Sequence, residues 1–201
     1  MIKNAFIFFV LSISLSAVIL RADELDDDFK KVRELVDQKS YTKALTELSW
    51  VKNKIEKLNT KRVEDFFPEK LGEYVGGKFE SSGALGMSSV ERVYTKADGG
   101  TVKVSLAGGS GGQNNPFAAL AGFGKMAAMF PGAQNPGQDT VRIAGRTGMM
   151  ESGEGKDSEL TVFLDSGSML KLETKQHDAV GTLKTLAEAI KIAELDEYLR
   201  G

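Results

Sequence analysis

The spacing of apolar residues along this 201-residue chain changes character several times. Phe29, Val32, Leu35 and Val36 recur three and four apart with Lys and Arg between them, which is a helical period. Asp26, Asp27 and Asp28 precede them, where a helix N-terminus favours negative charge. Gln38-Lys39-Ser40 reads as a short turn, with Ser40 as the N-cap of a longer helix. On that helix Tyr41, Ala44, Leu45, Leu48, Val51, Ile55 and Leu58 form one stripe. The pair predicts an antiparallel αα-hairpin, a single helical unit with no second copy downstream. Trp50 falls off the stripe; at about 100° per residue it lies opposite Tyr41, beside Asn53 and Lys57. Two readings compete for it: packing against another part of the chain, or an exposed aromatic anchor for a partner.

Phe66-Phe67-Pro68 closes the second helix, because proline disfavours the helical conformation of the residue before it. The period then changes to two. Val102, Val104 and Leu106 alternate after the turn Ala97-Asp98-Gly99-Gly100, so residues 90–109 read as a β-hairpin. Further strands are expected in TVRIAGRTGMMES, ELTVFLD and SMLKLETK, the last two joined tightly at Asp165-Ser166-Gly167-Ser168. Tight hairpins imply antiparallel pairing. A closing helix carries Val180, Leu183, Leu186, Ala187 and Ile190 on one face, with Asp178 as its expected N-cap; Leu195 and Leu199 suggest a last short helix.

Between the strands lies NPFAALAGFGKMAAMFPG, Asn115 to Gly132, in which Lys125 is the only charge. Projected as a helix, it places Leu120, Phe123, Met126 and Phe130 on one broad arc, with Ala118, Ala121, Lys125 and Ala128 opposite. Phe117 and Met129 fall off that arc. At about 1.5 Å per residue the segment is too short to span a bilayer. It reads either as a helix covering the sheet or as a mobile cover, loosened by Gly122 and Gly124, that shows Phe and Met to a lipid or protein. The candidate interaction surface is therefore Trp50, Phe117, Leu120, Phe123, Met126, Met129 and Phe130. The expected fold class is α+β: an N-terminal αα-hairpin, then an antiparallel sheet covered by this Ala/Gly/Met-rich helix and a C-terminal helix.

The N-terminus adds an address. Lys3 precedes the sixteen-residue apolar run Ala5 to Leu20, and an acidic segment follows, the pattern of a secretory signal peptide. Cleavage is expected after Ala22 or after Ser16; the alternative is an uncleaved inner-membrane anchor. The expected organisation is a signal peptide over 1–22, a helical hairpin over 23–67 and an α+β domain over 68–201. The mature chain is expected in the periplasm, without a transmembrane domain. It contains no cysteine, which removes disulfides, a lipidated N-terminal Cys, thiol catalysis and Cys-ligated zinc. The net charge of −2 and the lack of a basic stripe argue against nucleic acid.

Candidate chemistry is sparse. Gly108-Gly109-Ser110-Gly111-Gly112 matches G-x-S-x-G, and Asp165 and His177 follow in the hydrolase order. That elbow requires a helix directly after the serine on a parallel sheet; here Gln113-Asn114-Asn115-Pro116 intervene between antiparallel strands. A serine hydrolase using Ser110 thus remains the alternative to a non-enzymatic binding module. His177 is the only histidine, so a His-rich zinc site is excluded. Gly122-Phe123-Gly124-Lys125-Met126 lacks the Ser or Thr that a phosphate-binding loop needs for magnesium. Asp26-Asp27-Asp28 cannot converge on one ion from a regular element. Other acidic residues are expected on solvated faces. No catalytic residue, metal or cofactor is assigned.

Four stretches carry a resemblance: ALTELSWVKNKI, the FFPEKLG junction, RVYTKADGGTVKVSLAGG and TLKTLAEAIKIAELDEYL. Together they resemble a group of uncharacterised exported proteins of Gram-negative bacteria. The resemblance implies a periplasmic address; it implies no activity and no site residues. The expected partner of the apolar surface is an unidentified protein or lipid of the envelope, and the further alternative is a structural partner in an envelope complex.

Overall fold

The computed structural model describes residues 24–84, 87–108, 122, 126, 138–152, 157–176 and 179–201. The chain divides into two compact units, Met1–Asn59 and Thr60–Gly201.

Helices α1 (residues 24–37) and α2 (Tyr41–Glu64) form the helical pair of the first unit, with the last turn of α2, from residue 60, belonging to the second. The turn between them is a Schellman motif. Lys39 takes φ +56°, its N–H donates to Val36 O (2.9 Å), and the Ser40 N–H donates to Leu35 O (2.8 Å). Ion pairs set the register of the seam: Lys31 with Glu47 (2.9 Å), and Lys54 with both Asp28 (2.6 Å) and Glu24 (2.9 Å). The hydrogen bonds it donates to Asp28 and Glu24 raise the Lys54 ammonium above its ordinary value. Asp28 thus serves the seam; α1 is already helical at residue 24, so the acidic triplet lies inside the helix and not before it.

The second unit is an eight-stranded, wholly antiparallel sheet with two C-terminal helices, an α+β fold. Its strands are β1 (Lys70–Leu71), β2 (Tyr74–Ala84), β3 (Met87–Thr95), β4 (Thr101–Gly108), β5 (Gln138–Ile143), β6 (Arg146–Glu151), β7 (Ser158–Phe163) and β8 (Met169–Thr174). They run in the order β1-β2-β3-β4-β8-β7-β6-β5, so two meanders meet where β4 pairs with β8. The period-two pattern selects one face: Tyr94, Val102, Val104, Leu160, Val162, Leu170 and Leu172 are all fully buried. Helices α3 (Val180–Ala189) and α4 (Ile192–Arg200) add Leu183, Ala187, Ile192 and Leu195 to that core, and Phe66 and Phe67 join it. Gly108 shows how closely β4 and β8 approach: a Cβ there would collide with the Ser168 side chain.

The expected N-cap Asp178 lies outside the described residues. Helix α3 begins at Val180 after Ala179, whose N–H donates to Ser158 Oγ on β7 (3.3 Å). The helix start is tied to the sheet, not capped by its own side chain.

Tyr94 is the largest fully buried side chain, and its hydroxyl donates to Pro68 O (3.0 Å). Burial pushes its phenol up to about 12, against the opposing influence of nearby Arg92. The unfolded phenol ionises near pH 10, about two units earlier. Its contribution is therefore complete below pH 10 and is lost as pH rises through 12. Urea unfolding at pH 9 and pH 12 should show the native chain losing about 2–3 kcal/mol more than Tyr94→Phe.

Candidate interaction surface

Three clusters of polar side chains in the second unit could carry chemistry, and each is consumed by structure. On the sheet face opposite the core, Glu159 and Glu173 stand directly opposite each other on β7 and β8. Such a pair repels unless a cation intervenes. Lys171 does so, at 2.9 Å from Glu159 and 2.7 Å from Glu173, and Lys103 adds a second contact to Glu173 (2.7 Å). Burial raises the Glu173 carboxyl, but hydrogen bonds from the two lysines outweigh this and hold it below its ordinary value. A proton donor needs the opposite shift.

Arg92 forms the second cluster. Buried on β3, it donates to Phe67 O (2.5 Å) and Glu64 (3.0 Å) and lies over the Phe79 ring. It ties the end of α2 to the sheet.

The third is centred on Asp196 of α4, which is fully buried, contrary to the expectation that acidic residues line solvated faces. It accepts from Arg146 Nε (2.6 Å) and from the backbone N–H groups of Asp165 (3.1 Å) and Ser166 (2.8 Å). Asp165, the acidic member of the hydrolase-like trio, sits in this turn 3.3 Å from Arg146. Ser110 and His177 lie outside the described residues. Among the described residues no group of three His, Cys, Asp or Glu could hold a metal ion.

The apolar surface is a different matter. Of the candidate residues, Phe117, Leu120, Phe123, Met129 and Phe130 lie outside the described residues. Gly122 and Met126 are described; both are helical and exposed, Met126 at 53%. Trp50 is 65% exposed. It is not packed away.

A larger apolar feature lies on another side of the same helix pair. Eleven large apolar side chains are exposed among the described residues, and eight belong to α1 and α2. The α2 stripe buries only Ala44 and Val51. These share a side of the helix with Glu47 and Lys54, which mark the seam with α1. Tyr41, Leu45, Leu48 and Ile55 lie on an arc roughly 60–130° from that seam, and Leu45 is 65% exposed. With Val32 and Val36 of α1, three of them line a groove of about 210 Å³ whose walls are wholly apolar. Phe29 extends it along α1, where Asp26, Lys30 and Arg33 form its charged rim. The reason is geometric: a two-helix unit has one seam, and one seam cannot cover two apolar arcs. The signal was present in the sequence, since α2 carries more apolar positions than a single helical partner can bury.

Comparison with known protein families, with curated proteins and with solved structures finds no match. Among the described residues no helix is long and apolar enough to cross a membrane.

Proposed function

We propose that this chain is an exported, non-enzymatic binding module of the bacterial envelope, and that it docks through the apolar side of α1 and α2. One observation carries the reading: among the described residues, six of the eleven exposed large apolar side chains, Phe29, Val36, Tyr41, Leu45, Leu48 and Ile55, lie on one side of one helix pair. Contiguous exposed apolar surface of this kind is the mark of a docking site. Lys3 and the apolar run Ala5 to Leu20 support export.

A protein partner suits the surface better than a lipid one. Helices that lie on anionic membranes are rich in Lys and Arg. Helices α1 and α2 together carry nine acidic and nine basic side chains, with no excess of positive charge. The sheet unit supplies stability, and its charged groups are engaged with one another, as in the Lys103–Glu173–Lys171–Glu159 row.

Fractionation of the source cells tests the address. The chain is expected in the periplasmic fraction, shortened at its N-terminus by about twenty residues, as a cleaved signal peptide requires. A full-length chain confined to the cytosol would overturn the export half of the reading.

A further inference from the structure

We infer that the occupant of this apolar side is a second copy of the chain, packed antiparallel about a two-fold axis so that the two helix pairs form a four-helix bundle. The inference rests on the docking reading above and adds the partner's identity.

The spacing of the exposed arc points first to a helical partner. Tyr41, Leu45, Leu48, Lys52 and Ile55 follow one another at four, three, four and three residues. This is a coiled-coil seam with a single lysine, and a lone polar residue at such a position sets register and oligomeric state. On α1, Leu25, Phe29, Val32 and Val36 repeat the same steps. Both helices thus offer seams of matching period on one side of the pair.

The rim charges then point to self-association. Asp26 and Arg33 flank the α1 seam with opposite sign, and neither has an ionic partner among the described residues. They are two turns apart, about 10 Å along the helix, too far to pair within one copy. In a two-fold interface, if residue i meets j then j meets i. An axis crossing α1 between Phe29 and Lys30 brings each Asp26 to the other copy's Arg33. The Lys31–Glu47 and Lys54–Glu24 pairs place that level of α1 beside residues 48–50 of α2. The same axis therefore sets each Leu45 against the other copy's Ile55, with the two lysines at position 52 facing Leu48. One operation satisfies the charges and the apolar seam together.

The area is adequate. The exposed fractions of Phe29, Val36, Tyr41, Leu45, Leu48 and Ile55 correspond to roughly 600 Å² of apolar surface per copy, against about 800 Å² per partner in a standard interface. Asp26, Lys30, Arg33 and Lys52 supply the polar remainder.

Charge reversal tests the pairing on the full chain by sedimentation equilibrium. Asp26→Arg and Arg33→Asp should each weaken dimerisation about tenfold, because each change converts two symmetric attractions into repulsions. The double variant, with the charges exchanged, should return to within about threefold of the native affinity. A foreign partner would not follow the exchange. The absence of cysteine gives an independent readout: Phe29→Cys should cross-link to its own copy through a short bismaleimide, and Trp50→Cys, on the opposite side, should not. A chain that stays monomeric at tens of micromolar, or a double variant as weak as the singles, overturns the second copy as occupant. If Leu45 is nevertheless shielded in cells, the docking reading survives with a different partner.

Discussion

Replacing Asp196 with Ala is expected to destabilise the protein by about 3–5 kcal/mol, the usual cost of removing one member of a buried ion pair. Total stabilities of single domains run to about 5–15 kcal/mol, so this is a large share. The carboxylate is fully buried and holds three donors at once: Arg146 Nε and the N–H groups of Asp165 and Ser166. Its loss leaves a guanidinium without its closest partner and two turn amides without acceptors. It also unfastens α4 from the β7–β8 turn and from β6. Asp196→Asn should cost less, since it keeps the shape and one acceptor.

The same group makes stability depend on acid. Burial alone raises the Asp196 carboxyl, but Arg146 and the Ser166 and Asp165 amides outweigh it and hold the carboxyl below its ordinary range. The folded value is thus lower than the unfolded one of about 4. The contribution is complete above the unfolded value and is lost as pH falls through the folded one. Urea unfolding at pH 7 and pH 3 should show the gap between the native chain and Asp196→Asn narrowing in acid. A gap that stays constant would contradict this account of the network.

Leu45→Glu is expected to do the opposite: change stability little and association greatly. Leu45 is 65% exposed, and substitutions at such positions usually stay within about 0.5 kcal/mol. At the centre of a docking surface, a charge that must be buried costs about 2 kcal/mol or more of binding, some thirtyfold in affinity. Thermal unfolding and sedimentation of the same samples separate the two effects. Equal unfolding with lost association fits a docking residue; lost stability with unchanged association marks Leu45 as core.

Much of the fold was legible because its signals are local. The Asp98-Gly99 turn and the Gly167 turn announce themselves, with φ of +87° and +83° at the glycines. The β5–β6 turn does not, because it places Ala144, not a glycine or asparagine, at φ +48°. Strands β1 and β2 escaped for a related reason. YVGGKFESSGA has no regular alternation, and the irregularity between Gly76 and Phe79 shifts the pairing register there. The buried Asp196 could not be foreseen, since its partner Arg146 is fifty residues away in sequence.

The exposed apolar side chains were harder to read from the sequence. Trp50 stood out as an off-stripe aromatic, and it is exposed. The α2 stripe was visible as a stripe, but amphipathicity shows which face avoids water without showing whether the chain itself covers it. Only the seam residues Ala44 and Val51 are covered. Tyr41, Leu45 and Leu48, equally apolar in sequence, are left exposed.

Thiol labelling in the cysteine-free chain tests the central claim most directly. Leu45→Cys on the apolar side and Lys57→Cys on the opposite side are each treated with a maleimide, in dilute purified protein and in intact cells whose outer membrane has been made permeable. Both sites should label rapidly in the dilute protein, and in cells Lys57→Cys should still label while Leu45→Cys is protected. Equal labelling of the two positions in cells would show that nothing docks on α1 and α2.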